Sequence, residues 1–323
     1  MKRIAFIIFL IGTVLNGFSN EKIKGLSFVA ASEAIDSTHF KSMLEVNANW
    51  VTLMPFGFIQ NDEVLFNSKF QWHGETTAGV SDVIDLCRKS GFKIMLKPQI
   101  WIPNGFTGDF EAKNWKKFEN SFRLFSLEFL KVAIDKNVEM FCIGTEWENF
   151  IAKRPKFWKA LIGEIKSLYQ GKLTYAANWD EFAKFPFWNL IDLIGIDAYF
   201  PLSSNAQINL KMLKSSWGRI SEKLEIFSHS LNKPILFTEV GYRSISGCTI
   251  KPWDSKSNAE YSEEDQKLAY QALFETVWKE DWLEGLFIWK WHHDEKRLGN
   301  QNKRFTPQNK MAAEYLKDVW TNN

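Results

Sequence analysis

Two segments of the chain place a glutamate directly after an apolar run, with aromatic residues beside it. One ends Ile143-Gly144-Thr145-Glu146-Trp147-Glu148, the other Phe237-Thr238-Glu239-Val240-Gly241-Tyr242. A strand-end glutamate on its own is ordinarily a surface or capping residue. Two of them facing each other across a narrow mouth are what retaining glycoside hydrolysis requires. One carboxylate attacks the anomeric carbon, and the other protonates the leaving oxygen and later activates water, the two standing ~5–5.5 Å apart. If Glu239 is the nucleophile it must be ionised, which calls for donors such as the Tyr199 hydroxyl and the nearby Arg243. The acid must keep its proton, helped by an apolar flank such as Trp147 and by the charge on Glu239. Glu148 lies two residues beyond Glu146 and in a strand faces the same way, so periodicity leaves the first position open between them.

The elements that must position these groups alternate along the chain. Eight short apolar runs, rich in β-branched and aromatic residues, read as buried parallel strands: 25–30, 50–56, 93–102, 138–146, 173–179, 190–200, 235–242 and 285–291. Helices with recognisable punctuation lie between them. One runs from Ser81 to Ser90 and stops at Gly91, and another from Pro155 to Tyr169. A third opens on Ser262-Glu263-Glu264-Asp265 and reaches Glu280, and the last opens at Thr306-Pro307. Eight strand–helix units are the number that closes a (β/α)8 TIM barrel, and no Pro/Gly/Ser-rich linker divides the chain, so a single domain is expected over residues 20–323. Glu146 and Glu239 then stand at the ends of strands four and seven, on the face where such barrels build their sites. A doubly wound open sheet is the competing fold, but no GxGxxG or Walker loop opens any helix.

Composition excludes several functions. With 40 basic and 38 acidic residues in 323, the formal charge is +2, which gives no electrostatic case for nucleic acid. The sequence opens Met1-Lys2-Arg3 followed by the apolar run 4–15, the pattern of a signal peptide, with cleavage expected after Ser19. Loss of Lys2 and Arg3 leaves the mature chain formally neutral, and export to the periplasm or the medium is expected. No later apolar stretch approaches the ~18 residues of a membrane span, so stable membrane insertion after signal removal is not expected. Cys87, Cys142 and Cys248 lack CxxC spacing and imply no disulfide framework. His292-His293-Asp294 lacks metal-ligand spacing and no GxSxG elbow is present, so neither a metal nor another cofactor is expected.

The segments 143–147 (IGTEW), 176–181 (AANWDE), 194–202 (IGIDAYFPL), 237–247 (FTEVGYRSISG), Lys251-Pro252-Trp253 and 287–291 (FIWKW) resemble glycoside hydrolase family 113, the β-mannanase family. It belongs to a clan of (β/α)8 retaining glycosidases with catalytic glutamates on strands four and seven. The resemblance implies that Glu146 is the acid/base, in preference to Glu148, and Glu239 the nucleophile. It makes Tyr199 the aromatic that hydrogen-bonds the nucleophile, and Trp289 or Trp291 the tryptophan flooring the sugar subsite. The clan's asparagine before the acid/base is replaced here by Thr145, so its contact to the substrate 2-hydroxyl is not carried over.

Further candidates follow from position. Lys97 and Gln99 share a face with Trp101 in strand three, and a lysine in such a run needs a partner: a substrate or carboxylate contact, or a structural ion pair. Asn178 ends strand five as a sugar contact or a loop cap, and Asp197 belongs to the barrel's internal hydrogen bonds. Of the 15 tryptophans, Trp101, Trp147, Trp179, Trp289 and Trp291 fall near strand ends, with Trp253 in the loop after strand seven and Trp72 after strand two. Their flat faces suit the C–H faces of sugars. The expected function is hydrolysis of β-1,4-linked mannan or manno-oligosaccharides. The alternatives are the same chemistry on a β-glucan or xylan, and a non-catalytic carbohydrate-binding barrel. A glutamate tied up in a salt bridge would favour the last.

Overall fold

The computed structural model describes residues 21–103 and 105–322; the expected signal peptide lies outside them. Eight strands form a closed, all-parallel barrel: β1 (Ile23–Phe28), β2 (Trp50–Leu53), β3 (Lys93–Leu96), β4 (Met140–Thr145), β5 (Lys172–Asn178), β6 (Leu193–Asp197), β7 (Ile235–Val240) and β8 (Leu283–Trp291). Each pairs with its neighbours in sequence, and β8 closes on β1. This is the (β/α)8 barrel. The helices α1 (Lys41–Glu45), α2 (Thr77–Lys89), α3 (Trp115–Asp135), α4 (Glu148–Lys153), α5 (Pro155–Leu168), α6 (Leu210–Leu231), α7 (Glu263–Thr276) and α8 (Met311–Thr321) lie outside it. Between β5 and β6 the described chain forms only two 3-10 turns, 182–184 and 188–190.

Side-chain caps set several helix starts, because the first turn of a helix leaves backbone N–H groups without partners. Asn114 accepts from Lys117 N–H, Asn209 from Met212 N–H, and Ser262 from Asp265 N–H. The helix α7 ends at Thr276, short of Glu280, and two helix starts differ from expectation. The Thr76 side chain caps α2, so that helix begins before Ser81. Thr306 instead caps a turn, its hydroxyl accepting from Gln308 N–H, and α8 begins only at Met311.

The barrel interior is packed at its lower end by Ile23, Trp50, Met95, Met140, Cys142, Ala176, Leu193, Leu236 and Phe287. A larger apolar layer fills the space between sheet and helices, and all three cysteines are buried free thiols. Gly195 on β6 leaves no room for a side chain. A methyl there would sit 2.2 Å from the Tyr175 carbonyl oxygen and 2.5 Å from Thr174 Oγ1, and the carbonyl belongs to the neighbouring strand's backbone. Gly195→Ala is therefore expected to cost about 1–3 kcal/mol of stability, read as a lower urea midpoint at unchanged slope.

Strand three is shorter than its apolar run. Pro98 has no N–H to offer a ladder, and pairing with β4 stops at Leu96. The chain then leaves the barrel, and 99–101 pairs with 56–60 in a small three-stranded sheet beside the mouth, completed by 63–65. Strand two divides in the same way at Met54-Pro55. This departure gives the mouth a wall on one side and aims Lys97 and Gln99 into the barrel.

Candidate active site

At the C-terminal end of the barrel the apolar interior gives way to a buried polar cluster. Glu239 on β7 pairs in register with Asp197 on β6. Lys97, fully buried, reaches both: its Nζ donates to Glu239 Oε1 at 2.6 Å and to Asp197 Oδ1 at 3.0 Å. Gln99 Nε2 donates to the same Glu239 oxygen at 2.9 Å, and the Tyr199 hydroxyl donates to Oε2 at 2.8 Å. Asp197 Oδ1 also accepts from the Thr238 hydroxyl at 2.7 Å. Three donors thus favour an ionised Glu239.

Glu146 follows β4 and enters the same electrostatic neighbourhood. Burial above all, then the charges of Asp197 and Glu239, push its carboxyl well above the usual range, and Lys97 only partly offsets them. Asp197 is also raised, by burial and then by Glu239, against the pull of Lys97 and Thr238. Three acids here share one ammonium. Lys97 donates to Glu239 and Asp197 and not to Glu146, so of the three it is Glu146 that is left to hold a proton. The site thus sets a carboxylate held by three donors near a second carboxyl whose charged form is disfavoured. That division suits nucleophile and acid roles.

The model of glycoside hydrolase family 113 matches residues 28–310. The chain belongs to that family. It is therefore a glycoside hydrolase. Among solved structures, a GH113 β-1,4-mannanase complex superposes with a TM-score of 0.81 at 21% identity, covering 94% of this chain and 100% of that one. The GH113 β-mannanase AaManA from Alicyclobacillus acidocaldarius, in complex with ManMIm, gives 0.81 and 21% over 93% and 97%. A β-glucuronidase from Faecalibacterium prausnitzii shares the fold at a TM-score of 0.64 and 16% identity over 93% of this chain and 49% of its own. No curated protein matches the sequence significantly.

In this family 113 chain the tryptophans divide differently from expectation. Trp289 is half-buried and faces a cavity of about 370 Å³, walled also by Phe56, Trp72 and Lys290, with Glu75 and His292 among its polar lining. Burial and the cations around it bring His292 down to about 4, so it is neutral at ordinary pH. Trp101 is 50% exposed on the small sheet, edge-on to Phe58. Trp253 is 43% exposed and stacks on Trp179 at 5.4 Å, joining the loops after β7 and β5.

Trp147 and Trp291 are not part of the rim. Trp147 turns into the aromatic packing of Phe110, Phe118, Phe122 and Phe150 between barrel and α3. Trp291 is 1% exposed and its indole N–H donates to Ser42. Arg243 is no donor to Glu239. Its guanidinium binds the carbonyls of Lys303 and Ser257, tying the loop after β7 to the one after β8. Asn178 uses its Oδ1 to accept from Trp179 N–H at 2.9 Å, a loop cap. Glu148 opens α4 and pairs with Lys184 in the open, which removes it from the carboxyl cluster.

The sequence reading noted Gln99 only as a neighbour of Lys97 and passed over Lys290, Tyr175 and Glu181. For Gln99 the signal was present in its alternation with Lys97. Glu181 closes the 176–181 segment that carries part of the resemblance, but it lies in an irregular loop without a period, so nothing local gave it a role.

Proposed function

We propose that the protein is an exported hydrolase of β-1,4-mannosidic bonds in mannan or manno-oligosaccharides, working with retention of configuration. Glu239 Oε2 attacks the anomeric carbon while Glu146 gives its proton to the leaving glycosidic oxygen. Glu146, now a carboxylate, takes a proton from water, which attacks the same carbon and releases Glu239. Tyr199 steadies the attacking carboxylate from the side. Trp289 and the cavity beside it offer a face for the sugar on the β8 side, and the Trp179–Trp253 stack offers another over β5 and β7.

The observation that carries this reading is the arrangement of one cluster at the barrel mouth: Glu239 is held by three donors, and Glu146 is pushed up by burial and by its acidic neighbours. Mannan as substrate is supported by family membership and by the β-1,4-mannanase named among the similar structures. Export is supported by the basic, then apolar, opening of the sequence.

The Lys97–Glu239 ion pair favours the binding-protein reading by the criterion set above. Two features weigh against it. Lys97 divides its charge between Glu239 and Asp197, and its one bond to Glu239 is at Oε1, leaving Oε2 to Tyr199 among the described residues. An ion pair of this kind keeps a nucleophile ionised without covering its attacking oxygen.

Reducing-end release from mannan, glucomannan, xylan and β-glucan, with the product anomer followed by NMR, decides among these. The expected outcome is release from mannan with the β-anomer formed first. A first-formed α-anomer would contradict the double displacement, and tight binding of mannan without any release would establish the binding protein.

A further inference from the structure

Glu146 sits at a backbone corner that has to be held. Its φ is +55°, the left-handed region that a residue with a side chain enters only at a cost. Two amide bonds flank the corner. Glu146 N–H donates to Ala176 O at 2.8 Å, and Trp147 N–H donates to the Tyr175 hydroxyl oxygen at 2.6 Å. That hydroxyl passes its own proton on, donating to Glu181 Oε1 at 2.8 Å. Glu181 Oε2 accepts from Asn178 N–H at 3.2 Å, and Glu181 N–H donates back to Asn178 O at 2.9 Å. The ring of Tyr175 is clamped flat on Phe185, with centroids 4.2 Å apart and planes within 5°.

Glu181 is 2% exposed and forms no ion pair among the described residues. A buried carboxyl without a cation is costly, and this one touches neither Glu239 nor Lys97. Its bonds lead instead, through one tyrosine, to the peptide that aims Glu146.

We propose that Glu181 is a positioning residue for the general acid: through Tyr175 it fixes the Glu146–Trp147 peptide, and so the direction of the Glu146 carboxyl. The proposal rests on the reading of Glu146 as acid/base given above. Burial pushes Glu181 up to about 7, and its field adds to those of Asp197 and Glu239 in raising Glu146. The other ionisable groups facing Glu181 are Tyr175, Glu148, Asp180 and Lys184.

The test compares two substrates whose need for an acid differs. β-1,4-Mannotetraose has a sugar alkoxide to protonate, whereas 2,4-dinitrophenyl β-mannoside releases a phenolate that leaves unaided. The ratio of the two kcat/KM values does not depend on how much enzyme is folded. Glu181→Gln is expected to lower kcat/KM on mannotetraose by about tenfold or more, a part of the 10²–10⁴-fold that general acid catalysis supplies. The aryl mannoside should change by less than about threefold. The basic limb of the mannotetraose profile should move to lower pH, because a negative charge beside Glu146 has gone. Tyr175→Phe should show the same selectivity between leaving groups. Equal losses on both substrates would overturn the proposal and leave Glu181 a structural residue. A wild type that cleaves neither substrate would overturn the hydrolase reading, and this proposal with it.

Discussion

Glu239→Ala is expected to lower kcat/KM on a β-1,4-manno-oligosaccharide by about 10⁴-fold or more, the scale on which loss of a covalent nucleophile is felt, while the protein stays folded. The variant leaves Lys97 with Asp197 at 3.0 Å, so the buried ammonium keeps a counter-ion. Gln99 and Tyr199 lose an acceptor and turn to solvent or sugar hydroxyls in the vacated space. Sugar binding should therefore survive the loss of turnover, and calorimetric titration with mannotetraose should give a dissociation constant close to that of the wild type. Turnover retained within tenfold would sink the assignment of Glu239, and loss of binding together with turnover would show that the variant had collapsed the site.

Lys97→Met should have the largest effect on stability. Removing the one ammonium leaves Asp197 and Glu239 buried beside Glu146 with no cation between them, and breaking a buried ion pair from one side costs about 3–5 kcal/mol. The direction with pH follows from the shifts. Burial opposes the charge on Lys97, but Asp197 and Glu239 outweigh it and hold the ammonium above its ordinary value. Its contribution is thus complete below the unfolded value and is lost only as pH rises through the higher folded one, so it does not titrate across ordinary assay pH. Glu146 is also raised. Its contribution is present below the unfolded carboxyl value and fades as pH rises through the folded one. In Lys97→Met, Asp197 loses the ammonium that pulls it down and should take up its proton at higher pH still. Lys97→Met/Asp197→Asn should recover part of the lost stability, because one of the stranded charges is gone. Urea midpoints of the two variants measure this directly. A single variant as stable as wild type would mean that the ion pair contributes nothing.

The reading of strand three shows where one-dimensional pattern fails. Residues 93–102 form a continuous apolar run with a lysine and a proline inside it, and periodicity treats them as one strand. In the structure the pairing with strand two keeps its register past Pro98, from Leu53 opposite Leu96 to Phe56 opposite Gln99, while pairing with strand four ends at Leu96, and the second half lies in a separate small sheet. From there Lys97 and Gln99 reach Glu239, contacts made across 142 and 140 residues of sequence. Arg243 failed as a donor for the complementary reason. Its closeness in sequence to Glu239 counted for less than three backbone carbonyls left unpaired by the loops around it.

The number of strands, their parallel order and the placing of Glu146 and Glu239 at the same end were legible in the amino-acid order. Alternating apolar runs and capped helices are local signals, and a strand's end announces itself by the change from apolar to polar. Which carboxyl keeps its proton was legible only through the family resemblance, and the cause was not, because charge state depends on burial and on groups that approach from other strands. The same holds for the tryptophans. Adjacency to a strand end suggested that Trp147 and Trp291 line the mouth, but the left-handed turn at Glu146 and the packing of β8 on β1 carry both inward, and only Trp72, Trp101, Trp179, Trp253 and Trp289 keep a face toward solvent or the cavity. Side-chain direction at a strand's end is set by the backbone after the ladder stops, and that is decided by tertiary contacts.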